Sequence, residues 1–219
     1  MNEQVIIMLL EGIRDTLYMT FGSVILGYAL GLPMGILLYM SGEDGLKPKP
    51  VIYRILDLII NIVRSIPFLI LLILLIPFTR LLVGQSYGST ATIVPLVICA
   101  APYIARVVDN SFHEVDEGVI EAARAMGADN WQIVWKVLLV EARTSLLTGF
   151  TITTGVLLGY SAMSGTVGGG GLGDIAVRYG YYRWDTDIMV VTVILLIVIF
   201  QIIQNVGTKI SQQSDKRKR

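Results

Sequence analysis

Few side chains in this sequence are equipped for chemistry, and their spacing keeps them apart. Ser161 and Ser164, in the run Gly-Tyr-Ser-Ala-Met-Ser-Gly, are candidate nucleophiles. A serine nucleophile needs a base within hydrogen-bond reach, and the one histidine, His113, stands in a distant charged segment. The glycine-rich run GTVGGGGLGD at 165–174 invites reading as a phosphate loop, but it lacks the Lys-Ser/Thr pair that would reach phosphate and magnesium. One cysteine, Cys99, and one histidine exclude a disulfide framework and a metal site built on several His or Cys ligands. The sequence therefore predicts no catalytic residue, no metal and no cofactor.

The elements that hold these residues follow from composition. Of 219 residues, 54% are apolar and 16% charged, and the mean hydropathy is +0.68. Such a chain belongs in a lipid bilayer. Its acidic and basic residues cancel to a net charge of zero, which disfavours a nucleic-acid partner. Four stretches without Asp, Glu, Lys or Arg are long enough to cross a membrane: 16–40, 81–105, 144–173 and 188–208. A fifth, SIPFLILLILLIPFT between Arg64 and Arg80, reaches spanning length by recruiting DLIINIV upstream, with Arg64 extended towards the headgroups. The prediction is an all-α membrane protein of five spans. Residues 1–15 lack the basic start and cleavage site of a signal peptide and read as an extracytoplasmic N-terminus.

Basic residues set the orientation. Lys47, Lys49, Arg54, Arg106, Arg124, Lys136, Arg143 and the tail at 209–219 with its KRKR end fall on one side, opposed by Arg14, Arg80, Arg178 and Arg183. The tail and the middle loop are thus predicted cytoplasmic and the N-terminus outside. Tyr179, Tyr181, Tyr182 and Trp184 read as an outer interfacial belt.

Ion-coupled transporters place titratable groups at membrane depth. Here four spans have none, and the fifth has only Asp57 and Arg64, spaced to share one helix face as a structural pair. Uphill transport would then draw its work from another subunit. The GxxxGxxxG of Gly27, Gly31 and Gly35, and the GxxxG of Gly155 and Gly159, predict close helix contacts, either within one chain or between copies. Pro33, Pro67, Pro77, Pro95 and Pro102 predict kinked or broken spans.

The longest charged segment, 106–143, centres on GVIEAARAMGADNWQIVWKVLL. Its alanines favour a short helix, with Gly127 as C-cap and Asp129 or Asn130 capping the next helix. EAARAMG, followed by VLLV at 137–140, resembles the EAA signature of inner-membrane permeases of ABC importers: EAA, three residues, G, nine residues, I, one residue, LP. Glu121, Ala122, Ala123, Gly127 and Leu139 match, Val137 stands for Ile, and Val140 replaces Pro. With TLYMTFGSVILGYALGLPMGILLY, RSIPFLILLILLIPFTRLLVG, PLVICAAPYIARVVDNS and GYSAMSGTVGGGGLGDIAVRYGYYRWDTDIM, the chain resembles the permease subunits of methionine importers over about 12–206.

That resemblance implies the type-1 ABC importer permease fold at 16–208, with a coupling helix at about 117–130. It implies a homodimer, two copies of a cytoplasmic ABC ATPase and an extracytoplasmic substrate-binding protein, often a lipoprotein, with ATP hydrolysis outside this chain. Translocation of methionine, of D or L configuration, would proceed by alternating access. Glu121, Ala122, Ala123, Met126 and Gly127 are the expected ATPase-coupling residues. Met163, whose flexible thioether suits a narrow apolar gate where two copies meet, is the first gate candidate, with Tyr160 and Ser161 beside it. Two alternatives stay open: the same machine for another small amino acid, and a passive channel or membrane scaffold.

Overall fold

The computed structural model describes residues 3–214, which are helical or loop throughout. The KRKR end of the tail lies outside the described residues. Helix α1, Glu3–Ser41, starts well before the charge-free stretch, because Glu11 and Arg14 interrupt the apolar run while remaining good helix formers. Helix α2, Pro50–Ser65, opens on a proline at its first position, where the missing N–H costs nothing. It stops at Ile66, held extended (φ −83°, ψ 123°) by Pro67 behind it. Helix α3, Phe68–Leu74, leaves at 101° to α2, and α4, Ile76–Val83, ends on left-handed Gly84.

The remaining elements are α5 (Ser89–His113), α6 (Glu117–Ala125) and α7 (Asn130–Gln132), which continues through a π-helical turn, Ile133–Leu138, into α8 (Leu139–Glu141). After Ala142 come α9 (Arg143–Ser164), a 3-10 turn (Gly165–Val167), α10 (Gly171–Ile175), a second π-helical turn (Ala176–Tyr181) and α11 (Thr186–Ser214). The motif's proline position, Val140, lies inside α8, and the helix is interrupted at Ala142, two residues further on. Among the described residues, four helical stretches are long and apolar enough to cross a membrane: Glu3–Ser41, Ser89–His113, Arg143–Tyr181 and Thr186–Ser214. α2 with α3 makes a fifth only if the bent pair counts as one span.

The core is the seam between α1 and α5. A Cβ on Gly31 would stand 2.6 Å from the Ala101 carbonyl oxygen, and one on Gly35 would stand 2.7 Å from that of Ala105. The GxxxGxxxG stripe therefore serves contact within the chain, backbone against backbone. Gly155 meets Phe200 of α11, whereas Gly159 faces open space. Buried hydroxyls in α9 are satisfied locally: Thr153 and Thr154 donate to the carbonyls of Gly149 and Phe150 at 2.7 and 2.8 Å.

Residues 165–173 form no loose turn. Gly165 presses against the backbone of Gly173, Gly173 against that of Ala162 in α9, Gly168, Gly170 and Gly171 take positive φ, and Leu172 N donates to Thr16 Oγ1 of α1 at 2.9 Å. Gly88 N donates to the Gly168 carbonyl at 2.9 Å, tying the start of α5 to the same hairpin. The run, whose glycines alone would suggest a flexible turn, is instead a packed plug joining α1, α5 and α9. The aromatic cluster divides: Tyr181, Tyr182 and Trp184 are exposed, while Tyr179 packs inward under Arg183.

Candidate functional site

Two places in the fold combine exposure with defined geometry. The first is α6, at the end of the bundle where α5 stops. Asp116 caps it, its carboxylate accepting from Gly118 N at 2.8 Å. At the other end Gly127 N donates to the Arg124 carbonyl at 2.9 Å and Ala128 N to that of Ala123 at 3.0 Å, with Gly127 at φ +85°. This is a Schellman closure, which needs a left-handed residue at the Gly127 position. Asp129 then caps the next helix reciprocally: its carboxylate accepts from Gln132 N at 2.8 Å, and Gln132 Oε1 accepts from Asp129 N at 3.1 Å.

The expected coupling residues separate into two faces. Ala123 is 5% exposed and packs with Ile120, three residues back, in the cluster that holds Tyr39, Phe112, Ile133 and Val134. Glu121, Ala122 and Gly127 are exposed, and Met126 is 83% exposed. A Cβ on Gly127 would meet nothing within 4 Å, so glycine is required there by conformation and not by crowding within the chain. Ile120 was not among the expected residues, although its spacing from Ala123 is the signal for an anchored helix face.

The second place is a cavity of about 140 Å³ between α2, α5 and α9, lined in part by Arg64, Cys99, Tyr103, Thr153, Val156 and Tyr160. Tyr103 lies about 15 Å from the α6 end of α5 at 1.5 Å rise per residue, so the cavity flanks the middle of that helix. Arg64, in the last turn of α2, is exposed, and its guanidinium carbon stands 6.0 Å from the Tyr103 ring centroid. It does not pair with Asp57, which is claimed by Arg106 from α5. The same guanidinium donates to Asn61 Oδ1 and Asp109 Oδ2, each at 3.3 Å. The clamp therefore fastens α2 to α5.

The three gate candidates also part company. Tyr160 lines the cavity and stacks on Phe68 of α3, with centroids 4.5 Å apart. Met163 follows three residues later on the same helix face and is 43% exposed. Ser161 is buried, donates to the Leu158 carbonyl at 2.8 Å and faces Thr20 of α1. A wider hollow of about 550 Å³ lies between the ends of α5, α9 and α11, where Ser111 and Ser145 hydroxyls are 2.9 Å apart. Among the described residues, no cluster of His, Cys, Asp and Glu has the makings of a metal site.

Residues 17–212 match the family described as binding-protein-dependent transport system inner membrane component. The chain is 48% identical over 210 residues to the probable D-methionine transport system permease protein MetI of Vibrio cholerae, covering 96% of this chain and 93% of that protein. It is 50% identical over 165 residues to the D-methionine transport system permease protein MetI of Escherichia coli K12, covering 75% and 76%. A solved chain from the MetNI methionine ABC transporter in inward-facing conformations superposes with a TM-score of 0.97 at 46% identity, covering 99% of this chain and 100% of that one. An amino acid ABC transporter with histidines shares the fold alone, at a TM-score of 0.74 and 22% identity, over 98% of this chain and 95% of that one. With its family match spanning nearly the whole sequence, the chain belongs to the inner membrane components of binding-protein-dependent transport systems.

Proposed function

We propose that this chain is the permease subunit of an ATP-driven methionine importer in the bacterial inner membrane. It crosses the bilayer five times, with α2 and α3 as one bent span, the N-terminus outside and the C-terminus in the cytoplasm. Basic residues gathered around the α6 end support that orientation. Two copies pair, each docks on one copy of a cytosolic ABC ATPase, and an extracytoplasmic binding protein delivers the amino acid. ATP hydrolysis takes place in the ATPase, and alternating access in the permease follows from it.

One observation carries the reading: α6 is capped at both ends, anchored through Ile120 and Ala123, and turned outward along Glu121, Ala122 and Met126. A rigid, exposed helix with small side chains suits insertion into another protein's cleft. In this arrangement Glu121, Ala122 and Met126 contact the ATPase, while Ala123 and Gly127 hold the helix in position. Met163 and Tyr160 close the path at the far end of α9, with Ser161 fixing that helix to α1. Methionine as the substrate is supported by the names of relatives at 48% and 50% identity.

The test is reconstitution in proteoliposomes with the cognate ATPase and binding protein from the same organism. ATP-dependent accumulation of methionine, with a stoichiometric ATPase copurifying, is the expected result. Solute equilibrating without ATP, or a permease that purifies with no ATPase, would favour the channel or scaffold reading and overturn this one.

A further inference from the structure

The two arginines near α2 are treated differently by the fold. Arg106 is held by Asp57 and Asp109. Arg64 has no acidic partner among the described residues, only the loose ring contact with Tyr103, although it stands beside the middle of a spanning helix, α5, where an unpaired cation is costly. On the single chain its side chain is exposed, and a charge retained at membrane depth faces water or an anion and not lipid. Beside it the span is broken at Ile66–Pro67, and broken spans mark solute sites because backbone irregularity is tolerated only where it lines a cavity. The loose contact leaves the planar fork of the guanidinium open to a carboxylate, its best geometric match.

The rest of the cavity suits the other parts of a small amino acid. Tyr103 and Tyr160 offer hydroxyl oxygens able to accept from an ammonium group. Thr153 has already given its proton to the Gly149 carbonyl, so its oxygen too is an acceptor. Cys99, Val156 and Leu157 provide a soft apolar wall for a side chain. A space of about 140 Å³ admits one small amino acid and excludes a peptide or an oligosaccharide.

We propose that this cavity is a low-affinity way station for the transported α-amino acid, its carboxylate gripped by Arg64 and its apolar side chain laid against Cys99, Val156 and Leu157. The proposal rests on the amino-acid-importer reading. It adds a specificity element within the membrane, distinct from the binding protein.

Cys99, the chain's single cysteine, reports on the cavity directly. The purified permease–ATPase complex, without binding protein, is treated with methyl methanethiosulfonate, and mass spectrometry follows the Cys99 peptide. L-methionine at about 20 mM is expected to slow modification about five-fold, as a site with a Kd of about 5 mM would. L-methioninamide, which lacks the carboxylate, gives no protection, Arg64→Gln abolishes protection by methionine, and Arg64→Lys retains part of it. Equal protection by the amide, equal protection in Arg64→Gln, or no protection in the native chain overturns the site. A Cys99 that never reacts overturns it as well, since no solute then reaches the cavity. The amide comparison uses the native chain and stands even if a variant fails to assemble. ATP-driven methionine uptake by the same preparation with its binding protein is measured in parallel. Uptake without protection overturns the site alone, and absence of both overturns the importer reading with it.

Discussion

Helices α5 and α11 are both apolar enough to span a membrane, yet they live in opposite surroundings. In their most apolar windows, 67% of α5 is buried inside the chain and only 11% of α11. α11 is the more apolar of the two, so hydropathy does not decide which helix joins the core. Small residues do. Ala100, Ala101 and Ala105 of α5 let the glycines of α1 approach to backbone contact, whereas α11 presents Val190, Val193, Ile194, Ile197 and Val198 outward. Because lipid is as apolar as these side chains, packing within a membrane is won by fit and not by hydrophobicity.

The sharpest way to break the comparison is to add bulk on each side of it. Gly31→Leu sets a side chain against the Ala101 carbonyl and Ile104, with no flexible neighbour to yield on the backbone side. A loss of about 3 kcal/mol or more is expected, read as lost assembly or a lowered melting temperature in detergent. Val198→Leu on the exposed face of α11 should change stability by less than about 0.5 kcal/mol. Equal effects would remove the distinction.

Next in size is the α6 turn, exposed like α11 but conformationally fixed like the seam. Gly127→Val forces a β-branched residue to φ +85°, at a cost of about 1–2 kcal/mol, and should sharply reduce methionine imported per ATP hydrolysed. Gly127→Asn, which tolerates that conformation, should keep most of the coupling. If both fail alike, crowding against the partner matters more than backbone shape. The smallest effect is expected at Met163, whose side chain is partly exposed. Met163→Ala should leave stability within about 0.5 kcal/mol while raising basal ATP hydrolysis or solute leak in the assembled transporter. Unchanged leak and hydrolysis would take it off the path.

Much of this was legible in the sequence where local rules decide. Charge-free stretches located α1, α5, α9 and α11, and the residues from Glu121 to Asp129 gave α6, its closing glycine and the cap of the next helix, though not Asp116 at the start of α6. Pro67 announced the break after α2, because a residue before proline avoids helix. What was not legible depended on partners far along the chain. Asp57 has Arg64 two turns away yet pairs with Arg106 on another helix, and the 101° departure of α3 is set by packing against α5 and α9. The glycine-rich run looked pliant because glycine alone permits motion, but here its missing side chains admit three helices at once. The division of α6 into an anchored and a presented face was written in Ile120 and Ala123, and required knowing which side met the bundle.

The contact of α1 with α5 has a mechanical consequence. Side chains act as cushions between helices, and along this seam the glycines have removed them. The pair therefore behaves as a single strut, stapled at one end by the glycine plug and ending at the other beside α6. A push on α6 should arrive at the far surface with almost no lost motion, and any give must come from the hinge at Ile66–Pro67. Spin labels at the two ends of the strut should hold one separation through the whole transport cycle, while a label on α3 should change its distance to both.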